Sequence, residues 1–319
     1  PDVRVPLAAA QIEALRKVRH KIPAWFRFDL LMPPALSVEQ ASSETTARFK
    51  AGLFSGNTLL DLTGGMGVDA YFFSEKFKHV TYVEQNPELV RSVRHNCNIH
   101  GATNINAEQT DAEIFLQKTI ETYDLIYLDP GRRSKQKGRV FQLADCLPNV
   151  LEIKAELLKK ALRILLKTAP LLDLWQAARE LETVSRIWVV SVDAECKEVV
   201  YLLEKTAPEI DNIPVEALCL GAQEMTLRFT RAQEKAVTAE YSPPLRYLYE
   251  PDAAVLKAGA FNSFARRYGL LKLHPNTHLY TAETRVPDVP GRTFSVEAVA
   301  PYNRKAVRAL LPEGRANIA

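Results

Sequence analysis

Short apolar runs alternate with helical segments through the central part of this chain, and that alternation limits the folds open to it. The apolar runs predicted as strands are Thr58–Leu62, His79–Glu84, Asn104–Ala107, Tyr123–Leu128, Arg163–Leu166 and Arg186–Val192. A helix is predicted over Asn86–His100, between the second run and the third. Strands that alternate with helices of this length favour a parallel sheet covered on both faces. We therefore expect a doubly wound α/β fold.

Helices are predicted before the first strand. Apolar residues recur at helical spacing over Ala8–Arg19, and two consecutive prolines then break the pattern. A serine followed closely by acidic and amide residues predicts one capped helix over Ser37–Ala51. We expect residues 1–50 to form an N-terminal helical segment and residues 51–235 to form the main domain.

The pattern changes beyond about residue 205. Pro214–Leu220 and Met225–Thr230 are two strand-like runs joined by a short link with a glycine, which predicts an antiparallel hairpin at a sheet edge. The polar stretch Ala232–Pro244 predicts a linker. Residues 240–319 are expected to form a small α+β module, with a ferredoxin-like arrangement as one candidate. Its predicted elements are Ala253–Tyr268, His278–Ala282, Thr293–Val299 and Asn303–Leu311.

The composition is that of a folded protein without strong bulk charge. Of 319 residues, 47% are hydrophobic and 25% charged, and the formal net charge is +3. Nucleic-acid binding would therefore need local basic patches. The four cysteines form no Cys-x-x-Cys pair, and Pro275 prevents a regular helix between His274 and His278, so no metal site is expected. No apolar stretch approaches the roughly 18 to 20 residues of a membrane span. We expect a cytoplasmic protein with reduced thiols, and a chain that is a piece of a longer one.

Four carboxylates follow successive predicted strands, and a glycine turn follows the first. The carboxylates are Asp61, Glu84, Asp111 and Asp129, and the turn is Gly64-Gly65-Met66-Gly67. In an open parallel sheet, ligands bind beyond the carboxyl ends of the strands, and glycines let a ligand approach the backbone closely. Glu84 lies 23 positions beyond Asp61, a spacing at which an acid can bind ribose hydroxyls. The sequence thus predicts a nucleoside-containing ligand.

Electrostatics distinguishes two such ligands. Residues Gly65–Ala70 also fit the loose dinucleotide fingerprint, which places a pyrophosphate at the turn. Asp61 would bring a negative charge toward that pyrophosphate. A ring of carboxylates complements the sulfonium and ammonium of S-adenosylmethionine, so we prefer this methyl donor to a nicotinamide dinucleotide.

These residues resemble class I S-adenosylmethionine-dependent methyltransferases, over roughly residues 37–205. The stretch Asp61–Gly67 matches their first motif, and Glu84 matches the acid of their second strand. The resemblance implies a Rossmann-like domain in which the first motif holds the methionine part, Glu84 the ribose and Asp111-Ala112 the adenine edge. The cofactor-binding residues expected are Asp61, Thr63, Gly65, Gly67, Glu84, Asp111 and Ala112. More narrowly, the stretches Ser37–Glu44, Asp129–Arg133 and Val190–Lys197 resemble a bacterial branch with a THUMP-like C-terminal domain.

Asp129-Pro130, after the fourth strand, is the candidate catalytic pair. Related amino-methyltransferases have Asp/Asn-Pro-Pro-aromatic here and hold an exocyclic amine by its hydrogens. This sequence has Gly131 and Arg132 in the last two places, so the usual stacking ring is missing. Methyl transfer from a sulfonium mainly needs in-line positioning, and we expect Asp129 to position the acceptor. The alternative is that Asp129 only caps the next turn.

A basic segment follows directly. Its five cations, expected to bind substrate, are Arg132, Arg133, Lys135, Lys137 and Arg139. Such a segment could hold phosphates of a structured RNA such as tRNA or rRNA, or could simply be a solvated loop. We expect an RNA methyltransferase. A small-molecule or protein methyltransferase and an inactive RNA-binding module are the alternatives.

Three further residues are weaker candidates for the acceptor pocket. Asp193 either borders the pocket or caps a helix after the sixth strand. Lys167 and Asp173 could face the same cleft, although surface positions are the simpler interpretation.

Overall fold

A computed structural model describes residues 5–132, 142–221 and 224–311. The strands, in chain order, are β1 (Gly56–Asp61), β2 (Phe77–Glu84), β3 (Ile105–Gln109), β4 (Tyr123–Leu128), β5 (Gly131–Arg132), β6 (Cys146–Leu147), β7 (Ala161–Thr168), β8 (Val184–Val192), β9 (Glu195–Leu203), β10 (Pro214–Leu220), β11 (Met225–Thr230), β12 (Tyr247–Pro251), β13 (Leu271–Lys272), β14 (Tyr280–Ala282) and β15 (Gly291–Ser295). The α-helices are α1 (Val5–Lys21), α2 (Ala35–Gln40), α3 (Glu44–Gly52), α4 (Val68–Ser74), α5 (Pro87–Ile99), α6 (Ala112–Lys118), α7 (Val150–Lys160), α8 (Leu174–Leu181), α9 (Arg231–Ala236), α10 (Ala253–Ala258), α11 (Phe261–Tyr268) and α12 (Arg304–Leu310).

The main sheet has nine strands in the order β11-β10-β8-β9-β7-β4-β1-β2-β3. Strands β3, β2, β1, β4 and β7 run parallel to one another, and β8 pairs with β10 in parallel as well. The chain builds outward from β1 to β3 and then returns to add β4 on the other side of β1. A crevice is expected where the strand order reverses, at the carboxyl ends of β1 and β4. The predicted α/β class and the antiparallel edge hairpin of β10 and β11 are confirmed.

The central strands form because apolar residues cover both of their faces. In β4, only Asp124 among six residues is not fully buried. Two hydrophobic clusters lie on opposite faces of the sheet, one with Ile126 and Leu128 and the other with Leu125 and Tyr127. This burial on both faces is typical of strands inside a parallel sheet.

The sequence analysis missed β9. Asp193 and Ala194 have positive φ angles of 51° and 61°, so they form a tight turn instead of the helix cap considered for Asp193. The chain doubles back, and β9 inserts antiparallel between β7 and β8. Two residues with positive φ suit the twist of a short hairpin, and neither is the glycine that would have signalled it.

The predicted helix over Ser37–Ala51 is two helices. Ala41 has an extended ψ of 157° and ends α2, and Ser43 caps α3 by accepting a hydrogen bond from the Thr46 amide at 3.2 Å. The Oγ of Ser42, in the break, donates to Asp69 at 2.7 Å. A serine cap and this long-range bond together favour the interruption.

The C-terminal part contains an antiparallel sheet in the order β13-β14-β12-β15. Helix α10 packs against β8, β9 and β10, and buried residues of both sheets share one hydrophobic cluster. The predicted linker over Ala232–Pro244 is wrong at its start, because Thr230 and Gln233 form a capping box for α9. The predicted element over Ala253–Tyr268 consists of two helices, α10 and α11, which are separated at Gly259 with a φ of 76°. In the described ranges, no helix is both long and apolar enough to cross a membrane.

Candidate active site

A cavity of about 1080 Å³ lies at the carboxyl ends of β1, β2, β4 and β7. The turn after β1 and the residues after β2 and β4 line it. Ser37, Gln40 and Ser42 of the α2 region line it as well. The N-terminal helices therefore contribute to the cavity wall, which the sequence analysis did not predict.

The glycine turn is held close to the sheet. Gly65 and Gly67 have positive φ angles of 53° and 83°. A Cβ at Gly64 would lie 2.1 Å from the ring of Tyr82, and that tyrosine donates its hydroxyl to the Gly65 carbonyl at 2.6 Å. A Cβ at Gly67 would lie 2.7 Å from Val93. The turn leaves bare backbone at the cavity wall because these positions have no room for side chains or need left-handed angles.

Glu84 fixes the turn to the end of β2. One carboxylate oxygen accepts the Gly65 amide at 3.0 Å, and the other accepts the Asn86 amide at 2.8 Å. Glu84 also lines the cavity. Each carboxylate oxygen has two lone pairs, so the side chain retains capacity for ligand hydroxyls.

Asp111 and Ala112 lie at the start of α6. The Oδ1 of Asp111 caps the helix by accepting the Glu113 and Ile114 amides at 2.8 and 3.1 Å. Both Asp111 and Ala112 line the cavity. Their predicted contact with the adenine stays a prediction.

Asp61 lies beneath the turn and does not itself line the cavity. Its side chain is buried, and Oδ1 accepts the Thr63 amide at 3.2 Å. Oδ2 is buried and has no hydrogen-bond partner in the described part of the chain. Burial, and next the negative charge of Asp69, raise the pKa of Asp61 well above its usual range. This carboxyl would gain from a cationic group placed above it.

Asp129 is joined to the same turn. Its amide donates to Thr63 Oγ1 at 2.6 Å, and its Oδ2 accepts from Lys167 Nζ at 2.5 Å. Both Asp129 and Lys167 line the cavity, so the surface interpretation of Lys167 is wrong. Burial acts to lower the pKa of Lys167, but the charges of Asp129 and Glu198 outweigh it and raise that pKa. Asp173 instead caps α8 through the Gln176 amide.

A buried ionic cluster supports this wall. Lys50 Nζ lies 2.8 Å from Glu198 Oε2, 3.2 Å from Asp69 Oδ1 and 2.9 Å from Ser42 Oγ. Tyr127 donates its hydroxyl to Asp69 at 3.0 Å. Lys50 and Glu198 are 148 positions apart, and no local sequence pattern indicated the pair.

The residues after β4 continue the cavity wall. Pro130 and Gly131 line it, and β5 pairs with β6 through the backbone of Arg132. The other four predicted substrate-binding cations, Arg133, Lys135, Lys137 and Arg139, lie outside the described residues, as does the side chain of Arg132. Across the ranges given above, no group of three or more His, Cys, Asp or Glu is placed to hold a metal ion.

Comparison with known proteins identifies the family. A crystal structure of a protein from Porphyromonas gingivalis W83, described as a methyltransferase, has a TM-score of 0.86 and 35% sequence identity, covering 96% of this chain and 77% of that one. Relatives from two strains of Mycobacterium tuberculosis, CDC 1551 and H37Rv, are uncharacterized S-adenosylmethionine-dependent methyltransferases. Each is 22% identical over 275 residues, covering 86% of this chain and 72% of the relative. The chain belongs to the S-adenosylmethionine-dependent methyltransferases.

Two predictions about this methyltransferase are confirmed by that membership: its activity and the choice of S-adenosylmethionine as cofactor. A ferredoxin-like domain family matches residues 247–290, which include β12, β13 and β14. The small C-terminal module is therefore ferredoxin-like, which is the arrangement considered for it from the sequence. The THUMP-like resemblance stays a prediction.

Proposed function

We propose that this methyltransferase modifies a nitrogen of a base in structured RNA, such as tRNA or rRNA, with Asp129 positioning the acceptor. The observation that carries the proposal is the bond from the Asp129 amide to Thr63 Oγ1, at 2.6 Å. This bond holds a polar residue of the β4 end directly against the donor turn. An acceptor held by Asp129 would lie beside the methyl donor.

The donor side of the cavity fits S-adenosylmethionine. The turn around Gly65 offers backbone without side chains, and the unpartnered buried oxygen of Asp61 suits an ammonium lying above it. Glu84 would accept ribose hydroxyls, and Asp111 with Ala112 would meet the adenine. When bound, the cofactor supplies a methyl group on a positively charged sulfur. The protein's own part is to hold both reactants in line and to exclude competing geometries.

One side-chain oxygen of Asp129 could bind the substrate that accepts the methyl group. Lys167 occupies Oδ2, while Oδ1 makes no hydrogen bond within the described residues. A carboxylate oxygen accepts hydrogen bonds and so selects a nucleophile that carries a hydrogen, as an amine or ring N–H does. That preference favours nitrogen over a ring carbon as the methylated atom.

The basic segment supports RNA as the substrate. Arg132, Arg133, Lys135, Lys137 and Arg139 follow within ten positions of Asp129, and Gly131 before them lies on the cavity wall. Cations beside the cavity can bind phosphates while the base enters. Phosphate contacts position the nucleic acid, and the cavity then chooses the base.

The test combines product analysis with one substitution. RNA incubated with the enzyme and isotope-labelled S-adenosylmethionine is digested, and labelled nucleosides are identified by mass spectrometry. We expect a labelled N-methyl base. Asp129→Ala should slow single-turnover transfer at saturating donor by on the order of a hundredfold, because the acceptor loses its alignment. Donor affinity, measured by calorimetry, should change far less.

Asp211→Ala is the matched control, since Asp211 forms exposed ion pairs with Arg231 and Lys235 and does not line the cavity. It should transfer methyl groups like the parent. Recovery of the full rate in Asp129→Ala at high donor concentration would place Asp129 in the donor site instead.

A further inference from the structure

We propose that Lys167 is a second acceptor-site residue, which orients Asp129 and forms with it a paired hydrogen-bond donor and acceptor for one edge of a nucleobase. This inference rests on the proposed function. It adds a residue to the site and narrows the substrate to a base edge on which an N–H lies beside a hydrogen-bond acceptor atom.

The sheet register places the two side chains together. Leu128 of β4 pairs with Leu166 of the adjacent parallel strand β7, so Asp129, just beyond β4, lies beside Lys167 near the end of β7. Their charged ends meet at 2.5 Å and both line the cavity. The side chains are 28% and 14% exposed, so the pair is mostly enclosed but opens toward the cavity. Neighbouring parallel strands lie about 4.8 Å apart, which makes this meeting a direct result of topology.

Asp129 is held at two points. Thr63 accepts its amide and Lys167 donates to Oδ2. Oδ1 makes no hydrogen bond in the described part of the chain and remains available. A carboxylate with one oxygen engaged cannot rotate freely, so Lys167 fixes the direction in which Oδ1 meets an acceptor N–H.

Lys167 also has N–H groups that could donate to a ligand. An ammonium carries three N–H groups, and the only hydrogen bond it makes within the described residues is to Asp129. Its positive charge is retained because Asp129 and Glu198 raise its pKa against the effect of burial. The pair therefore presents a free acceptor oxygen next to free N–H donors.

This arrangement matches the Watson–Crick edge of a nucleobase. An exocyclic amine beside a ring nitrogen, or a ring N–H beside a carbonyl, offers one donor and one acceptor atom next to each other. Asp129 Oδ1 would accept from the nitrogen that is methylated, and Lys167 would donate to its neighbour. A ring carbon carries no N–H or O–H for Asp129 to accept.

The enzymatic test compares Lys167→Met with Lys167→Arg. The methionine variant should lower the single-turnover rate on bulk RNA by on the order of a hundredfold with donor affinity within about threefold of the parent. Arginine keeps the positive charge and the N–H donors, so Lys167→Arg should transfer methyl groups at least about tenfold faster than Lys167→Met. Lys159→Met, at an exposed lysine of α7, is the matched control and should behave like the parent. Equal rates for Lys167→Met and the parent would overturn the proposal.

A double substitution separates positioning from a general structural effect. Because Lys167 acts partly through Asp129 and partly by its own hydrogen bond to the base, the double variant Lys167→Met, Asp129→Asn should be slower than Asp129→Asn alone, but by a smaller factor than Lys167→Met causes in the parent. Fully additive losses would overturn the positioning role. Labelled product on a ribose oxygen or a ring carbon would overturn the assigned base edge.

One measurement needs no RNA. In protein carrying ¹³C-labelled lysine, NMR titration should show a lower pKa for Lys167 in Asp129→Asn than in the parent, with Lys167→Arg identifying the signal. An unchanged Lys167 pKa would overturn the pair itself. If the parent transfers no methyl group to RNA, the proposed function and the base edge both fail, while the titration still decides whether Lys167 and Asp129 interact.

Discussion

Replacing Lys50 with methionine should strongly destabilise the fold. Lys50 is fully buried, and its ammonium lies 2.8 and 3.0 Å from the two carboxylate oxygens of Glu198 and 3.2 Å from Asp69. Burial acts to lower the pKa of Lys50, but Asp69 and Glu198 outweigh it and the pKa is raised. Methionine fits a similar volume but leaves the buried Glu198 without its cation. Breaking a buried ion pair on one side costs about 3–5 kcal/mol, because the remaining charge is uncompensated.

The free energy of unfolding can be followed by urea denaturation without cofactor. Lys50→Met should lower it by about 3–5 kcal/mol. The double variant Lys50→Met, Glu198→Gln removes both charges and should regain a large part of that loss. Lys197→Met is the matched control, because Lys197 forms an exposed pair with Glu195 and such pairs contribute about 0–1 kcal/mol.

Two results would refute this reasoning. A loss below about 1 kcal/mol in Lys50→Met would show that Glu198 and Asp69 do not depend on the ammonium. A double variant as unstable as the single one would show that lost packing, and not the unpaired charge, causes the effect.

Three further predictions concern the ligands and pH. Glu84→Ala should weaken S-adenosylmethionine binding by at least about tenfold in calorimetry, since charge-assisted hydrogen bonds are worth about 1.5–3 kcal/mol each; unchanged affinity in the folded variant would remove Glu84 from the donor site. Replacing Lys135, Lys137 and Arg139 with alanine should reduce the slope of log affinity against log salt by about one to two units in RNA anisotropy, and an identical slope would exclude the segment from the interface. Burial, and then the charges of two other lysines, lower the pKa of Lys21 to about 8 from 10.5. Between about pH 8 and 10.5 only the unfolded chain keeps the Lys21 proton, so the free energy of unfolding of the parent should rise relative to that of Lys21→Met. If urea unfolding shows no change in this difference with pH, the lowered pKa of Lys21 is contradicted.

Local patterns predicted most of the sheet and the position of the cavity. The bounds of Tyr123–Leu128, Pro214–Leu220 and Met225–Thr230 agree with β4, β10 and β11, because each is an apolar run ended by polar or turn-forming residues. The carboxylates at strand ends converge because parallel strands end at one edge. Their assigned roles in binding and catalysis remain predictions.

The missed features depend on contacts that are distant in sequence. The turn before β9 is formed by Asp193 and Ala194 and contains no glycine, so β9 was not predicted as a separate strand. Lys167 resembled a surface lysine after an apolar run, and only the register of β4 with β7 shows its partner. Lys50 and Glu198 meet because α3 packs near the main sheet. The sequence around either residue gives no sign of this packing.

The contact between the ferredoxin-like module and the main sheet fixes the distance between the module and the cavity. Asp252, which caps α10, accepts the hydroxyl of Ser191 in β8, and Lys257 of α10 donates to the carbonyl of Leu172 on the cavity wall at 2.5 Å. Helix α10 thus anchors the module to the strands and the wall that frame the cavity. If a macromolecule bound both the module and the cavity, only a part lying at that fixed distance from the module could enter the cavity. Such an enzyme would choose its target by the three-dimensional shape of its partner, and a flexible substrate that merely contained the right chemical group would be a poor one.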